Sequence, residues 1–353
     1  MSDVPYMVPS AFLLACLACD PSSKSPAAST NHDGTSSEAT DSGAARPGTT
    51  DTATEPRDCD AADPNPPDTR EGHPADGWGW EKQGALFEDT ASVSPGDGDL
   101  APTLVDTGSE FVMVFARKRG TEQGLWMSTS TDGISWTPPE SMTGIDAGSI
   151  EYPSLVFADG QFHLWHGSGS IAYAESTDGR NFVPGDTVLR PGDAGAFDGV
   201  SLLYPHAIQT QTGIQLFYTG FSGARFAIGT TESDVPGAPF ASGTLLLEHS
   251  SDGWDNTSVG MPEVVVDSSG VQHFWYGGYD TIIADPGPWR IGRYDFETGE
   301  RRVSLPLSEA GVDAWSTRDP AVVPHGEGWL MVYVGMGDDG VYRLARATSR
   351  VCN

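Results

Sequence analysis

The residues of this sequence that could do chemistry lie beside five prolines that recur at a nearly constant interval. The prolines are Pro102, Pro153, Pro205, Pro262 and Pro320, which are 51, 52, 57 and 58 residues apart. The polar and aromatic residues around them are Asp99, Glu151, Tyr152, Tyr204, His206, Glu263, Arg318 and Asp319. Carboxylates, a guanidinium, an imidazole and phenols are groups that a ligand pocket uses to orient what it binds.

Each proline opens a segment that has the pattern of β-strands. A first run such as Met261-Pro262-Glu263-Val264-Val265 is followed by an aromatic run such as His273-Phe274-Trp275-Tyr276. A third run ends in Asp-Gly at 132–133 and 178–179, which is typical of a tight hairpin, and an aromatic residue then begins a fourth run. Four strands repeated five times predict an all-β fold, a five-bladed β-propeller.

The two ends of the repeat region predict how such a ring closes. The fifth repeat stops after residues 344–348 without a fourth strand, whereas residues 78–89 read as a strand that precedes the first proline. We expect this N-terminal strand to complete the fifth blade and to remove its exposed edge. The first strand of each blade lines the axis of a propeller, so the residues beside the prolines should meet at one end of a central channel.

Two cysteines flank the predicted closure. Cys59 lies upstream of the N-terminal strand, and Cys352 lies just beyond the last strand of the fifth repeat. A disulfide between them would join the two ends of the ring, as suits an exported protein. The alternative is two free thiols, because Cys59 lies in flexible sequence.

Composition excludes some classes of function. The chain has 353 residues and a formal net charge of -30, with only 19 Lys and Arg residues. Because affinity for phosphate backbones depends on Lys and Arg, we expect no nucleic-acid partner. No stretch of about 18 uninterrupted apolar residues occurs, so a membrane-spanning helix is not expected.

The N-terminal residues predict export. Residues 7–19 form a short apolar run that suits a signal peptide, although no Lys or Arg precedes it. Leu13-Leu14-Ala15-Cys16 resembles a bacterial lipobox, in which the cysteine becomes lipid-modified, and Cys19 is a second candidate. The alternative is a buried N-terminal strand. We therefore expect a protein that is exported and anchored to a bacterial membrane or cell surface as a lipoprotein, touching the membrane only through its lipid.

A tether separates this segment from the strands. Residues 20–76 are rich in Ser, Thr, Ala, Pro, Gly and Asp and contain twelve acidic and four basic residues. Such a segment buries too little apolar surface to fold. The predicted organisation is thus a signal segment at 1–19, a disordered linker at 20–76 and a monomeric propeller at 77–353.

The repeats also carry a family resemblance. Arg318-Asp319-Pro320, Glu151-Tyr152-Pro153, the connectors at 188–200 and 253–263, and Ser-x-Asp-Gly-x-x-Trp/Phe at 130–136 and 176–182 are similar to segments of five-bladed glycoside hydrolases of families 43, 32 and their relatives. The resemblance covers residues 77–350. It implies a glycan partner of the pentofuranoside or fructoside type, bound at the channel, and no cofactor beyond, at most, a channel cation such as calcium.

The resemblance also implies a carboxylic acid and a carboxylate that flank the sugar. Going round the ring, the fifth, first and second repeats supply Asp319, Asp99 and Glu151 as the catalytic candidates. The sequence departs from the family order, since Ala101, Tyr152 and Tyr204 occupy positions where those families carry acids. Each candidate also has a structural alternative: a local ion pair for Asp319, a turn for Asp99 and a solvated rim position for Glu151.

Two hypotheses remain open at this stage. In the first, a surface-anchored hydrolase uses those three acids. In the second, a propeller without catalytic activity binds a glycan or a protein partner. The ligand-binding candidates common to both are Arg318, Tyr152, Tyr204, His206, Glu263 and Trp315, of which the tyrosines and Trp315 would stack on sugar rings. His206 is alternatively a core histidine, and Glu263 alternatively pairs with a neighbouring blade.

Overall fold

Strands and turns make up the part of the chain that this computed structural model describes, namely residues 79–88, 93–145, 152–280 and 288–350. No helix occurs among these residues, and none therefore forms a helix long and apolar enough to cross a bilayer. The prediction of an all-β fold is confirmed. The signal segment, the linker, Cys16, Cys19, Cys59, Cys352 and Glu151 lie outside the described residues.

The described residues contain twenty strands, numbered in chain order. They are β1 (Glu81–Ala85), β2 (Gly98–Asp106), β3 (Phe111–Arg119), β4 (Glu122–Ser130), β5 (Glu140–Ser141), β6 (Tyr152–Ala158), β7 (Gln161–Gly167), β8 (Ile171–Ser176), β9 (Val183–Leu189), β10 (Ser201–Gln209), β11 (Ile214–Phe221), β12 (Phe226–Ser233), β13 (Thr244–Leu247), β14 (Ser258–Val266), β15 (Gln272–Tyr279), β16 (Arg290–Tyr294), β17 (Arg301–Leu305), β18 (Ser316–His325), β19 (Gly328–Met336) and β20 (Tyr342–Arg350).

These strands pair as antiparallel meanders. Strands β6–β9, β10–β13 and β14–β17 form three four-stranded sheets. A further sheet of eight strands contains β2–β5 and β18–β20, joined by one parallel bridge between Gly98 and Tyr342, and β1 pairs antiparallel with β20. The first strands contact one another in the cyclic order β2, β6, β10, β14, β18 and back to β2. This arrangement fits a propeller-like fold.

The second strands supply the aromatic packing between sheets. Trp165 on β7, Phe217 on β11, Trp275 on β15 and Tyr333 on β19 are almost wholly buried. Trp275 packs edge-on against Trp329 of the next sheet, with ring centroids 6.1 Å apart. Large rings bury much apolar area and prefer such edge contacts. The aromatic runs that were read as strands from the sequence are therefore the layers that hold neighbouring sheets together.

The residue before the proline adopts an unusual backbone conformation in four of the five first strands. The φ angles are 48° at Ala101, 47° at Tyr204, 57° at Met261 and 51° at Asp319, and the ladder to the second strand shifts register at each of them. Positive φ is strained for a residue with a side chain, and bulges of this kind re-aim side chains. The bulge tolerates proline at the next position because the ladder is interrupted there and needs no N–H donor. Strand β6, with Tyr152, keeps its register.

A repeated Asp–Tyr hydrogen bond fixes the segments that lead into three first strands. The tyrosine hydroxyls donate to carboxylates at 2.6, 2.8 and 2.9 Å in the pairs Tyr218–Asp198, Tyr276–Asp255 and Tyr333–Asp313. A nearby glycine makes room for each segment; at Gly278, a Cβ would lie 2.6 Å from the Cβ of Asp255. The aspartates thus bind side chains of the second strands rather than only loop amides.

We expect Tyr276→Phe to lower the free energy of unfolding by about 1–2 kcal/mol, because it removes a buried hydrogen bond to a charged acceptor. Tyr294→Phe is the matched control, since the hydroxyl of Tyr294 has no hydrogen-bond partner in the described part of the chain. Urea denaturation of both variants gives the comparison. Equal stability of the two variants would show that the Asp255 contact contributes nothing.

Candidate functional site

The residues beside the prolines meet at one end of the ring of first strands. In antiparallel sheets the start of a first strand, the end of a second and the start of a third lie at the same edge. In the sheet β14–β17, for example, Val259 of β14 pairs with Gly278 of β15, which in turn pairs with Arg290 of β16. This edge, called here the axial mouth, therefore gathers residues from the starts of the first and third strands.

A small cavity lies on the axis below the axial mouth. Its volume is about 20 Å³, and it is lined by Ala101, Pro102, Thr103, Pro153, Tyr204, Pro205, His206, Met261, Pro262, Glu263, Asp319 and Pro320. A cavity needs about 10–15 Å³ to hold one water molecule. The cavity thus has room for water but not for a sugar ring.

Side chains of the first strands hydrogen-bond to the backbone of the next first strand around the axis. The amide of Leu155 donates to Thr103 (3.0 Å), that of Ala207 to Ser154 (2.8 Å), that of Val322 to Glu263 (2.7 Å) and that of Ala101 to Asp319 (3.0 Å). His206 Nε2 completes the series by donating to the carbonyl of Val264 at 2.8 Å. Two of the proposed ligand-binding residues, His206 and Glu263, are therefore parts of this ring of contacts.

His206 and Glu263 form a buried ion pair within the ring. Nδ1 of His206 lies 2.8 Å from Oε2 of Glu263, and Nε2 faces the carbonyl of Val264, which can only accept. The protonated imidazole is the form that donates to both oxygens. Burial by itself lowers the pKa of His206, but the Glu263 carboxylate and the Val264 carbonyl outweigh it, and the pKa is raised. Both nitrogens of the imidazole are thus occupied by protein contacts.

Asp319 is also fully engaged. Its Oδ1 accepts from Nε of Arg318 at 3.0 Å, and its Oδ2 accepts from the amide of Ala101. The carboxylate is almost wholly buried and lines the cavity. Both oxygens therefore already hold a hydrogen bond, and the charge is compensated by the adjacent guanidinium.

Asp99 lies near the same edge but does not line the cavity. Its two oxygens accept four N–H groups, from Nε and Nη2 of Arg117 (2.8 and 3.0 Å) and of Arg119 (3.1 and 2.7 Å). The side chain is completely buried. Asp99 thus compensates two arginines of β3 and is not brought together with Asp319 at the cavity.

The aromatic part of the axial mouth surrounds Arg318. The ring of Tyr152 stacks on that of Tyr204 with centroids 3.9 Å apart, and Nη2 of Arg318 donates to the Tyr204 hydroxyl. The guanidinium carbon lies 5.7 Å from the ring centre of Tyr204, 5.8 Å from that of Trp289 and 5.6 Å from that of Tyr342. These are cation–π distances. Burial raises the pKa of Tyr204 well above its usual value, so the phenol is neutral.

Trp289 and Tyr342 belong to this site but were not among the sequence candidates. Trp289 lies just before the third strand β16, and Tyr342 begins the third strand β20. The sequence signal that could have found them is that third strands start at the same edge of a sheet as first strands. Trp315, which was a candidate, donates its backbone N–H to the carbonyl of Met336. Its ring contacts no other ring or charged group that the structure describes.

The described carboxylates at and near the axial mouth all take part in ion pairs. Asp319 pairs with Arg318, Glu263 with His206 and Asp99 with Arg117. A glycosidase uses two carboxyl groups, about 5–10 Å apart, that exchange protons with the sugar or attack it. No group of three or more His, Cys, Asp or Glu side chains within the described ranges is placed to hold a metal ion.

Comparisons with known proteins give a fold and no family. The sequence matches no family model, and no curated protein matches it significantly. Solved structures do match. They include a glycoside hydrolase (TM-score 0.58, 13% identity, 77% of this chain and 93% of that chain), the α-L-arabinofuranosidase PaAbf62A from Podospora anserina in complex with cellotriose (0.57, 12%, 78% and 97%), and an exo-1,5-α-L-arabinanase from a bovine ruminal metagenomic library (0.53, 10%, 73% and 94%).

The raised pKa of His206 predicts a pH-dependent stability. The stabilisation by the His206–Glu263 pair is fully present below about pH 6.5, the pKa of an unfolded histidine, and is lost as the pH rises through the folded pKa. We expect the free-energy difference between wild type and His206→Gln to shrink across that window. Denaturant titrations from pH 6 upward measure it.

His163 supplies the control for this prediction. Burial lowers its pKa, so its contribution changes below about pH 6.5 and not above it. His163→Gln should therefore leave the slope above pH 6.5 unaltered. A difference between wild type and His206→Gln that does not vary with pH would contradict a protonated His206.

Proposed function

We propose that this protein binds a carbohydrate at the axial mouth and does not hydrolyse it. The observation that carries the proposal is that Asp319, Glu263 and Asp99 hold ion pairs and hydrogen bonds. Arg318 beside them is surrounded by aromatic rings, of which Tyr204 and Trp289 are partly exposed. A group that already neutralises an arginine is a poor general base. Aromatic faces beside a guanidinium are suited to bind a neutral polar molecule.

Carbohydrate is the ligand class that the fold supports best. The solved structures that share the fold are described as a glycoside hydrolase, an arabinofuranosidase and an arabinanase. We propose that this chain retains the sugar-binding position of such a scaffold, for a ligand of the pentofuranoside or fructoside type. The partly exposed Tyr204, with Tyr152 stacked on it, would contact the sugar, and Arg318 would donate to the sugar's hydroxyl groups.

We further propose that the strands form a five-bladed propeller over residues 77–353. The cyclic contacts among β2, β6, β10, β14 and β18 and the pairing of β1 with β20 support this interpretation. The N-terminal strand would be the fourth strand of the fifth blade, so that the last sheet consists of β18, β19, β20 and β1.

We propose that the domain is monomeric and displayed outside the cytoplasm. The lipobox-like Leu13-Leu14-Ala15-Cys16 and the acidic, Ser- and Pro-rich residues 20–76 support a lipid anchor followed by a spacer. A Cys59–Cys352 disulfide would suit that location. The spacer would hold the axial mouth away from the membrane surface.

The alternative is a hydrolase that uses Asp319, Asp99 and Glu151. The observation in its favour is that Asp319 lines the axial cavity together with Pro153, which follows Glu151 by two residues in the sequence. For the reaction to occur, Arg318 would have to release Asp319.

A binding and hydrolysis screen tests the proposal. Oligosaccharides from arabinan, xylan and levan are titrated by calorimetry and incubated for product analysis. We expect binding without product, and a loss of affinity of about tenfold or more in Tyr204→Ala, since aromatic contacts dominate such sites. Phe296→Ala, an exposed ring in the turn after β16, is the matched control.

Two results would overturn the proposal. Products that disappear in Asp319→Asn and Glu151→Gln would establish the hydrolase alternative. Absence of binding to every oligosaccharide, by a protein whose unfolding transition is normal, would exclude a carbohydrate ligand of these types.

A further inference from the structure

A strip of partly exposed aromatic rings extends the axial mouth outward across the sheets β10–β13 and β14–β17. The ring of Trp289 lies 6.4 Å from that of Phe226, which lies 4.7 Å from that of Phe221. Trp289 is also the ring 5.8 Å from the Arg318 guanidinium. The strip, defined as Trp289, Phe226 and Phe221, is therefore continuous with the Tyr204–Arg318 contact at the axis.

The fold places these rings on the open edge of the sheets. Phe221 ends β11 and Phe226 begins β12, where the two pair across the hairpin of residues 222–225, and Trp289 precedes β16. Ends of second strands and starts of third strands share the edge of the axial mouth. Each of the three side chains is partly exposed, whereas the aromatic residues of the second strands are buried.

Polar donors lie at the Trp289 end of the strip. Nε and Nη2 of Arg318 donate to Asp319 and to Tyr204, so Nη1 is the guanidinium nitrogen left for water or a ligand. Nη1 of Arg318 and the indole N–H of Trp289 donate to no residue that the structure describes, and Trp289 is partly exposed. The strip therefore combines flat apolar faces with two N–H donors that can bind an acceptor from a ligand.

This combination fits a sugar chain better than an apolar or a charged partner. A sugar ring presents C–H groups on its face and acceptor oxygens at its edge, which match ring faces and N–H donors respectively. An anionic sugar is disfavoured because Asp319 already compensates Arg318 and the chain carries a net charge of -30. The ring centroids of the strip are 6.4 Å (Trp289–Phe226) and 4.7 Å (Phe226–Phe221) apart, so the strip is long enough to contact more than one unit of a linked ligand.

We infer that Trp289, Phe226 and Phe221 form a second subsite that binds further units of a neutral oligosaccharide whose first unit lies at Arg318 and Tyr204. The inference rests on the proposed function. It adds that the ligand is a chain of more than one unit, which runs outward from the axis between the sheets β10–β13 and β14–β17.

The test is the dependence of affinity on chain length. Neutral arabino-, xylo- and fructo-oligosaccharides of two to five units are titrated against the full folded domain by calorimetry. We expect the wild-type affinity to rise with length. Phe226→Ala should weaken binding of the five-unit ligand by about tenfold and leave the two-unit ligand within about twofold of wild type.

Two further variants make the comparison specific. Trp289→Ala should show the same loss for long ligands, with an added effect on short ones because Trp289 also contacts Arg318. Phe296→Ala removes an exposed ring at the opposite edge of the sheet β14–β17 and should change neither affinity. The unfolding midpoint of each variant shows that the fold is intact.

The outcomes separate this inference from the proposed function. If short ligands bind through Tyr204 but affinity is independent of length, or Phe226→Ala binds the five-unit ligand as wild type does, the second subsite is excluded while the proposed function stands. If no ligand binds wild type, both fail. If sedimentation shows a dimer that Phe226→Ala converts to a monomer, the strip is a self-association surface and the inference is overturned.

Discussion

The hydrogen bonds between neighbouring first strands around the axis are the constraint on which the rest of this structure depends. Each first strand offers a side chain to the backbone of the next, through Thr103, Ser154, His206, Glu263 and Asp319. A buried amide or carbonyl without a partner costs free energy, so each first strand depends on the preceding one for a hydrogen-bond partner to its backbone. The five first strands are therefore held side by side around the axis, and each carries the other strands of its sheet.

This constraint also determines what chemistry is left at the axis. Side chains that link strands are not available to a ligand, and Glu263 and Asp319 are the acids nearest the cavity. Their hydrogen bonds and ion pairs leave Arg318 and the surrounding rings, of which Tyr204 and Trp289 are partly exposed, as the other polar and aromatic groups of the axial mouth. The cavity of about 20 Å³ that the two acids line is too small for a sugar ring.

Two features of the axial mouth follow from backbone geometry. The positive φ of Tyr204 and Asp319 turns both side chains out of the regular ladder. Tyr204 then meets Tyr152, whose strand keeps its register, and Asp319 meets the amide of Ala101. A strained position of this kind persists only where surrounding contacts over-determine it, and here the inter-strand hydrogen bonds supply those contacts.

The sequence by itself determined the strands and the edge at which candidate residues gather, because proline spacing and aromatic runs are local signals of repeated hairpins. It also identified Arg318, Tyr152 and Tyr204, which the fold brings together. Only the tertiary structure decided which acids are already paired and which distant rings join Arg318. Asp99 finds its arginines on β3, and Trp289 reaches the axis from another sheet. The Asp99 contacts depend on the register of the β2–β3 hairpin, and the Trp289 contact depends on packing between strands far apart in the chain. Residue spacing specifies neither of them.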